Sequence, residues 1–233
     1  MPNSTIYLIP TVLDESAPET IPPYVLDAIK QCQVFFVEDE RTTRRYFKKL
    51  WKEMVIDDYT WVTMKKNGQQ SVPAFKGFIQ QGKNIGIVSE AGCPGIADPG
   101  QFLVQAAHEA GATVKPLVGP SSILLALMAS GLNGQQFQFH GYLPIESGAR
   151  DKKIRDLEEE SSRKKCTQVF IETPYRNNQL MQALVKVCKP GTRLCVAVDL
   201  TGTDEWVQTK SIGEWKKNMP DIHKKPAIFC LLG

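Results

Sequence analysis

The sequence predicts an α/β fold built as two α/β domains. Short apolar runs rich in Val, Ile and Phe alternate with segments of helical period, as in chains that wind helices around sheets. A length of 233 residues suits one large or two small domains. A turn-rich stretch at Leu117–Pro120 divides the chain into similar halves, 1–117 and 118–233.

In chain order, the first half opens with a strand over Ile6–Ile9 and a helix over Pro23–Gln31 that follows a Pro-Pro start signal. A strand over Val34–Glu38 leads into a basic helical stretch, Arg41–Lys52. A helix over Val72–Gln81 and a strand over Asn84–Ser89 come next. The helix over Pro99–Gly111 starts at a proline, ends at a glycine, and places Phe102, Leu103, Ala106, Ala107 and Ala110 on one face. A strand over Thr113–Leu117 ends this half. The second half begins with a helix over Ser121–Ala129, whose apolar centre Ile123–Met128 suits an interdomain or subunit contact as well as a core. Strands follow over Phe137–Tyr142, Thr167–Glu172, Leu194–Asp199 and Ala227–Leu232, with helices over Ala149–Glu160 and Asn177–Val187. The charged blocks of Lys152–Lys165 read as a solvated helix and loop. No period of solenoid length recurs.

Composition removes several classes. With 42% apolar and 23% charged residues, the chain is neither disordered nor a small disulfide scaffold. The segment Met1–Ile9 lacks the features of a secretion signal and no apolar run is long enough to span a membrane, so a cytoplasmic protein is expected. The six cysteines form no C-x-x-C pair, and four lie in apolar stretches, as reduced core thiols do. His108, His140 and His223 are isolated, so no metal site is expected.

Five stretches can carry chemistry. Residues Ser89 to Gly100, Ser-Glu-Ala-Gly-Cys-Pro-Gly-Ile-Ala-Asp-Pro-Gly, form an irregular loop at the end of a strand, where open α/β sheets bind ligands. Glu90 and Asp98 can accept hydrogen bonds there from ribose or ammonium groups. The loop matches neither the P-loop nor the G-x-G-x-x-G pattern. In Val118-Gly119-Pro120-Ser121-Ser122, a serine can cap the next helix, face a ligand, or do both. Arg41, Arg44, Arg45, Lys48, Lys49 and Lys52 share one helical face, opposite Phe47, Leu50 and Trp51, with no acid inside the stretch. Removing these six from the 28 basic residues leaves 22 against 25 acids, so a net charge of +3 becomes −3 elsewhere. Such a stripe suits an anionic partner, a nucleic-acid backbone above all. Finally, Glu172-Thr173-Pro174-Tyr175-Arg176 ends a strand in polar groups, and Pro226 opens the last strand without an N–H to donate.

Taken in this order, the loops resemble the tetrapyrrole methylase superfamily, and within it the ribosomal RNA small subunit methyltransferase I family. The pattern S-D-A-G-x-P-G-I-S-D-P-G is matched by Ser89 to Gly100, with Glu90 and Ala97 as replacements. P-G-P-S-A is matched at Val118 to Ser122, A-E-D-T-R at Val37 to Arg41, and E-S-P-H-R at Glu172 to Arg176. The resemblance implies two domains with a cleft that binds S-adenosylmethionine (SAM), a homodimer, no metal, and ribosomal RNA methylated on a ribose 2′-hydroxyl; the apolar runs, all too short to span a bilayer, add that no membrane is expected as a partner. Carried over, the cofactor contacts are Pro10, Ser89, Glu90, Ala91, Cys93, Ile96, Ser121, Ser122, Ile123, Thr173, Pro226 and Ala227. Asp39, Glu172 and Tyr175 are the candidate bases, while Arg41, Arg44, Arg45, Lys48 and Arg176 would hold the RNA. Two stretches depart from the pattern. P-T-P-I-G-N-L-x-D-I is replaced by Pro10 to Glu19, and R-E-L-T-K by Val198-Asp199-Leu200-Thr201-Gly202, without its Arg and Lys. Other branches of the superfamily methylate tetrapyrroles, and the lost Arg and Lys also allow a SAM-binding protein without catalysis. A small-molecule methyltransferase and an inactive protein therefore stand as alternatives.

Overall fold

A computed structural model describes residues 4–64, 69–97 and 99–233. The chain divides into two compact units, Met1–Ser121 and Ser122–Gly233.

The first unit holds five parallel strands: β1 (Thr5–Ile9), β2 (Val34–Val37), β3 (Thr60–Thr63), β4 (Ile85–Val88) and β5 (Thr113–Pro116), in the order β3-β2-β4-β1-β5. The helices are α1 (Tyr24–Gln31), α2 (Glu40–Leu50), α3 (Val72–Gln80) and α4 (Gln101–Glu109). Because side chains alternate along a strand, the apolar runs feed two cores at once. Tyr7, Ile9, Phe35 and Val37 pack with α1 and α2 through Val25, Ile29, Tyr46 and Phe47. Ile6, Val34, Phe36, Ile85 and Ile87 pack with α3 and α4 through Phe75, Ile79, Leu103 and Ala106. Gly86 makes room for this arrangement, since a Cβ there would lie 2.7 Å from both Ile9 Cδ1 and Phe35 Cδ1. The connections from β1 and β2 run toward one edge of the sheet and those from β3 and β4 toward the other. Neighbouring strands β1 and β4 therefore have loops that diverge at their carboxyl ends, a topological switch point where ligands bind.

The second unit has a mixed sheet of β6 (Phe137–Tyr142), β7 (Thr167–Ile171), β8 (Arg193–Val198), β9 (Trp206–Ser211) and β10 (Ala227–Leu232), in the order β6-β7-β10-β8-β9. Only β6 and β7 pair in parallel. Helices α6 (Ser147–Lys164), α7 (Asn177–Val187) and α8 (Ile212–Lys217) cover one face, packing Leu157, Leu184 and Trp215 onto Phe170, Val196 and Phe229. Helix α5 (Ser122–Ser130) lies against β8, β9 and β10. It buries Ile123, Ala126 and Leu127 but leaves Leu124 and Met128 51% and 78% exposed.

The α/β expectation holds, with several local corrections. Strands β3 and β9 were not anticipated because both are edge strands of mixed polarity without a buried apolar run. Helix α4 starts at Gln101, since Gly100 takes φ 135° and cannot belong to a helix. The charged stretch after Lys152 is helical almost throughout, because α6 buries Ile154, Leu157, Glu158 and Ser161 along one face. All six cysteines are free, with Cys32, Cys188, Cys195 and Cys230 buried. No helix among the described residues is long and apolar enough to cross a membrane.

Phe35 is fully buried, with its ring centroid 4.9 Å from that of Phe47 and 5.0 Å from that of Trp61. Phe35→Ala is expected to cost about 3–5 kcal/mol in urea unfolding followed by circular dichroism. A loss below about 1 kcal/mol would show that the ring does not anchor this core.

Candidate active site

At the carboxyl ends of β1 and β4 the two diverging loops are clasped by a pair of backbone hydrogen bonds. Thr11 N donates to Gly92 O at 2.9 Å and Gly92 N to Thr11 O at 3.2 Å. Gly92 has φ 73°, a conformation that side-chain-bearing residues avoid. The loop after β5 closes on the same place. A Cβ on Gly119 would lie 2.1 Å from Pro10 Cβ, so only glycine allows that approach. Cys93 Sγ contacts the carbonyls of Gly119 and Pro120 at 3.7 and 3.5 Å, and burial pushes its thiol pKa up. Tyr46 Oη donates to Pro10 O at 3.0 Å, which ties α2 to the first loop. Pro10, Ser89, Glu90, Ala91 and Cys93 thus come together, Ser121 follows Pro120 in the chain, Ile96 is exposed and Asp98 lies outside the described residues.

The electrostatics here are acidic on one side and basic on the other. Glu90 N donates to Glu38 Oε2 at 2.9 Å. The Glu90 carboxyl is raised above its ordinary range by burial, and the charges of Glu38 and Asp39 add to this. Three carboxylates so placed favour a ligand that carries positive charge. A cavity of about 120 Å³ runs from Thr11 and Leu13 past Thr43 and Tyr46 to Ser89 and Ala91, with Glu15, Arg45 and Lys49 also in its lining.

The basic stripe differs from the sequence expectation in two ways. Lys52 is not on the helical face, because α2 ends at Leu50, Trp51 is extended, and Lys48 Nζ donates to the carbonyls of Lys52 and Met54. Nor is the stripe free of acids. Arg44 pairs with Glu40 at 2.5 Å and lies over the Trp61 ring, 5.1 Å from its centroid. Glu15, from the first loop, pairs with Arg45 at 3.2 Å and with Lys49 at 2.7 Å. The bond from Lys49, with Arg45 nearby, holds the Glu15 carboxyl below its usual range. Arg41 and Lys52 have no acidic partner among the described residues. Asp39 has a structural task as the N-cap of α2: it accepts from Thr42 N at 2.7 Å, and that bond holds its carboxyl low.

In the second unit, Glu172 is buried at the end of β7. Its Oε1 accepts from Thr173 N at 2.7 Å and from Arg176 Nε and Nη2 at 3.0 and 2.6 Å. Tyr175 is 67% exposed, makes an edge contact with His223, and has Lys224 Nζ 5.9 Å from its ring centroid. Lys224 N donates to Pro174 O, and Asn177 Nδ2 donates to Lys225 O at 2.6 Å, so the start of β10 sits beside this turn. Pro226 O accepts from Asp199 N, and the Lys225 ammonium pairs with Asp199 at 3.2 Å. Thr201 has φ 69°, strained for a β-branched residue, and its Oγ1 is buried without a partner. Ser122 and Ile123 open α5. Sequence reasoning missed Glu15 and Asn177 as participants, since a lone acid and an ordinary helix start leave no motif to read; Thr201 lies in the stretch matched to R-E-L-T-K but was not singled out there.

SAM has a sulfonium and an ammonium beside its carboxylate, ribose and adenine. The first unit fits such a molecule, with carboxylates for the cationic groups and a loop of small residues that exposes backbone; a Cβ on Gly95 would meet nothing within 4 Å. Taken by itself, the second unit has three buried oxygens without partners, Glu172 Oε2, Asn177 Oδ1 and Thr201 Oγ1, able to accept from a ligand's N–H or O–H. No group of three or more His, Cys, Asp or Glu among the described residues is placed to hold a metal ion.

Comparison with known proteins shows the family. The family model for tetrapyrrole (corrin/porphyrin) methylases matches residues 15–215. The ribosomal RNA small subunit methyltransferase I of Vibrio cholerae is 32% identical over 209 residues, covering 90% of this chain and 69% of its own. The protein of the same name from Escherichia coli O157:H7 is 29% identical, over 98% and 77% of the two chains. Among solved structures, the methyltransferase CobJ superposes with a TM-score of 0.63 over 100% of this chain and 95% of its own. The Thermus thermophilus uroporphyrin-III-C-methyltransferase does so with 0.56 over 98% and 94%. Both are 15% identical to this chain and show its fold. The chain belongs to the tetrapyrrole methylase family and is a methyltransferase that takes its methyl group from SAM.

Proposed function

We propose that the chain methylates RNA, with ribosomal RNA as the substrate class and a ribose 2′-hydroxyl as the acceptor. The observation that carries this reading is one cavity lined both by the loop residues Ser89, Glu90 and Ala91 and by the basic helix residues Arg45 and Lys49. Phosphate-binding cations beside the methyl-donor loop are what a polyanionic acceptor requires. The relatives of about 30% identity named for ribosomal RNA support the same substrate.

When bound, SAM supplies a methyl group already activated by a positive sulfur, so the protein's work is alignment and exclusion of water. In the first unit, Pro10, Ser89, Glu90, Ala91, Cys93 and Ser121 are the proposed donor contacts. Arg41 and Lys52 offer charge to phosphates without first breaking an ion pair among the described residues. As the acceptor oxygen bonds to the methyl carbon, its proton becomes acidic and must leave, and a weak base suffices. Asp39 is committed to Thr42 N, and Tyr175 is largely exposed to solvent and offers a hydroxyl in place of a carboxylate, which disfavours both as the base. Glu172 keeps one free oxygen, Oε2, as the proposed proton acceptor, while Oε1 orients Arg176 toward an anionic substrate.

The proposal extends to a homodimer, supported by the exposed Leu124 and Met128 on α5. An exposed apolar pair on one short helix is costly unless covered.

Three measurements test these points. Calorimetry is expected to show SAM binding, and methyl-labelled SAM should label small-subunit RNA in an extract, with RNA affinity falling steeply as salt rises. Label confined to small molecules would replace RNA by a tetrapyrrole-like acceptor, and SAM binding with no transfer would mean lost catalysis. Glu172→Gln is expected to lower kcat about tenfold or more with little change in SAM affinity, because it removes the carboxylate from charge-assisted bonds to Arg176. Full activity would exclude Glu172 from the reaction. In sedimentation, Leu124→Asp with Met128→Asp should convert a dimer to a monomer; an unchanged mass would place the contact elsewhere.

A further inference from the structure

We propose that Glu15 is an internal counter-anion of the substrate site, holding Arg45 and Lys49 where a substrate phosphate will sit and being exchanged for that phosphate on binding. The inference rests on the RNA reading above and adds a residue that controls which anions the site accepts.

Glu15 is distant in sequence from both cations, yet it pairs Arg45 through Oε1 and Lys49 through Oε2. A carboxylate that splits its oxygens between a guanidinium and an ammonium reproduces the way two cations grip a phosphodiester. The local fold aims it: Asp14 Oδ1 accepts from Ser16 N at 2.8 Å and from Ser16 Oγ at 2.5 Å, closing a tight turn around Glu15. All three side chains are about half exposed, so the pairs are weak and an incoming phosphodiester anion can displace the carboxylate. The exchange happens in the lining of the cavity that also contains Ser89, Glu90 and Ala91, so the sugar attached to a bound phosphate would lie next to the proposed donor loop. Glu15 also belongs to the first loop, where this chain departs from the pattern it otherwise resembles.

Two consequences follow. Polyanions that cannot place a phosphate at this point meet a stripe with two of its cations neutralised, so Glu15 restrains non-specific binding. A substrate that can do so regains both cations at once, at the expense of expelling Glu15.

The test compares the full chain with Glu15→Gln, Arg45→Ala with Lys49→Ala, and the triple variant. Fluorescence anisotropy uses a short single-stranded RNA, and calorimetry uses inorganic tripolyphosphate. Glu15→Gln is expected to tighten RNA binding about threefold at low salt, as expected for releasing weak surface pairs. It should also steepen the log–log salt dependence, by no more than about 0.7, because one phosphate takes both cations and no expelled carboxylate is left to take up a counterion. In the Arg45→Ala, Lys49→Ala background the same change should have no effect, which separates ion exchange from a general loss of negative charge. Unchanged or weaker RNA binding by Glu15→Gln overturns the exchange and leaves the RNA reading in place. Failure of every variant to bind RNA, with tripolyphosphate held more tightly by Glu15→Gln, overturns the RNA reading and leaves the exchange. No effect of Glu15→Gln with either probe, and no RNA binding, overturns both.

Discussion

The two hydrogen bonds between Thr11 and Gly92 decide where the first unit can do chemistry. Strands β1 and β4 are neighbours whose chains leave the sheet toward opposite edges, so nothing in the sheet ladder itself would keep their loops in register. The Thr11–Gly92 bridge supplies that register beyond the last strand residues, and it needs the left-handed backbone of Gly92 to form. The close approach of Gly119 to Pro10 fixes a third loop against the first two. The result is an irregular surface with defined backbone positions, set on rigid parallel strands. In-line methyl transfer depends on such a surface, since its rate is governed by alignment more than by acid–base strength.

Charge is arranged around this surface in two zones of opposite sign. The acids Glu38, Asp39 and Glu90 gather at the ends of β2 and β4, where burial raises Glu90 and the charges of the other two add to it. Asp39 avoids the same fate because the α2 N-terminus donates to it, which keeps it ionised. The same helix then displays its cations a turn further on. One element therefore borders both an acidic zone suited to a sulfonium-bearing donor and a basic zone suited to phosphate. Tyr46 Oη, bonded to Pro10 O, keeps the helix in place relative to the first loop.

Much of this was legible because apolar strands and glycine-rich loops express their structure locally. The buried strands β1, β2, β4, β7, β8 and β10 appear as uninterrupted apolar runs, and the loop from Ser89 cannot be anything but irregular. Edge strands β3 and β9 were hidden because half of each faces solvent, which dilutes the apolar signal with Thr, Gln and Lys. Helix α6 runs past the expected end at Glu160 because Ser161 continues its buried face, and that face also holds an acid that composition marks as solvated: Glu158 accepts from Lys189 N and Thr192 Oγ1. In the candidate site, the loops and the basic residues could be named from spacing, but their pairing could not. Lys48 acts on the backbone beyond its helix, and Glu15 reaches its partners across a fold that no local pattern encodes.

That difference alters what a charge count means. By sequence, six cations within a dozen residues concentrate the protein's positive charge in one stripe. In the folded chain, Arg44 is matched by Glu40, while Arg45 and Lys49 share Glu15, and Lys48 is spent on carbonyls. The long-range field of the stripe is consequently smaller than its composition suggests, and steering of a polyanion would be modest. Its short-range capacity is intact, because exposed pairs of this kind are held by little energy and reopen when a better-placed anion arrives. A surface of that kind discriminates by contact rather than by net attraction, which suits an enzyme that must find one acceptor among many identical phosphates.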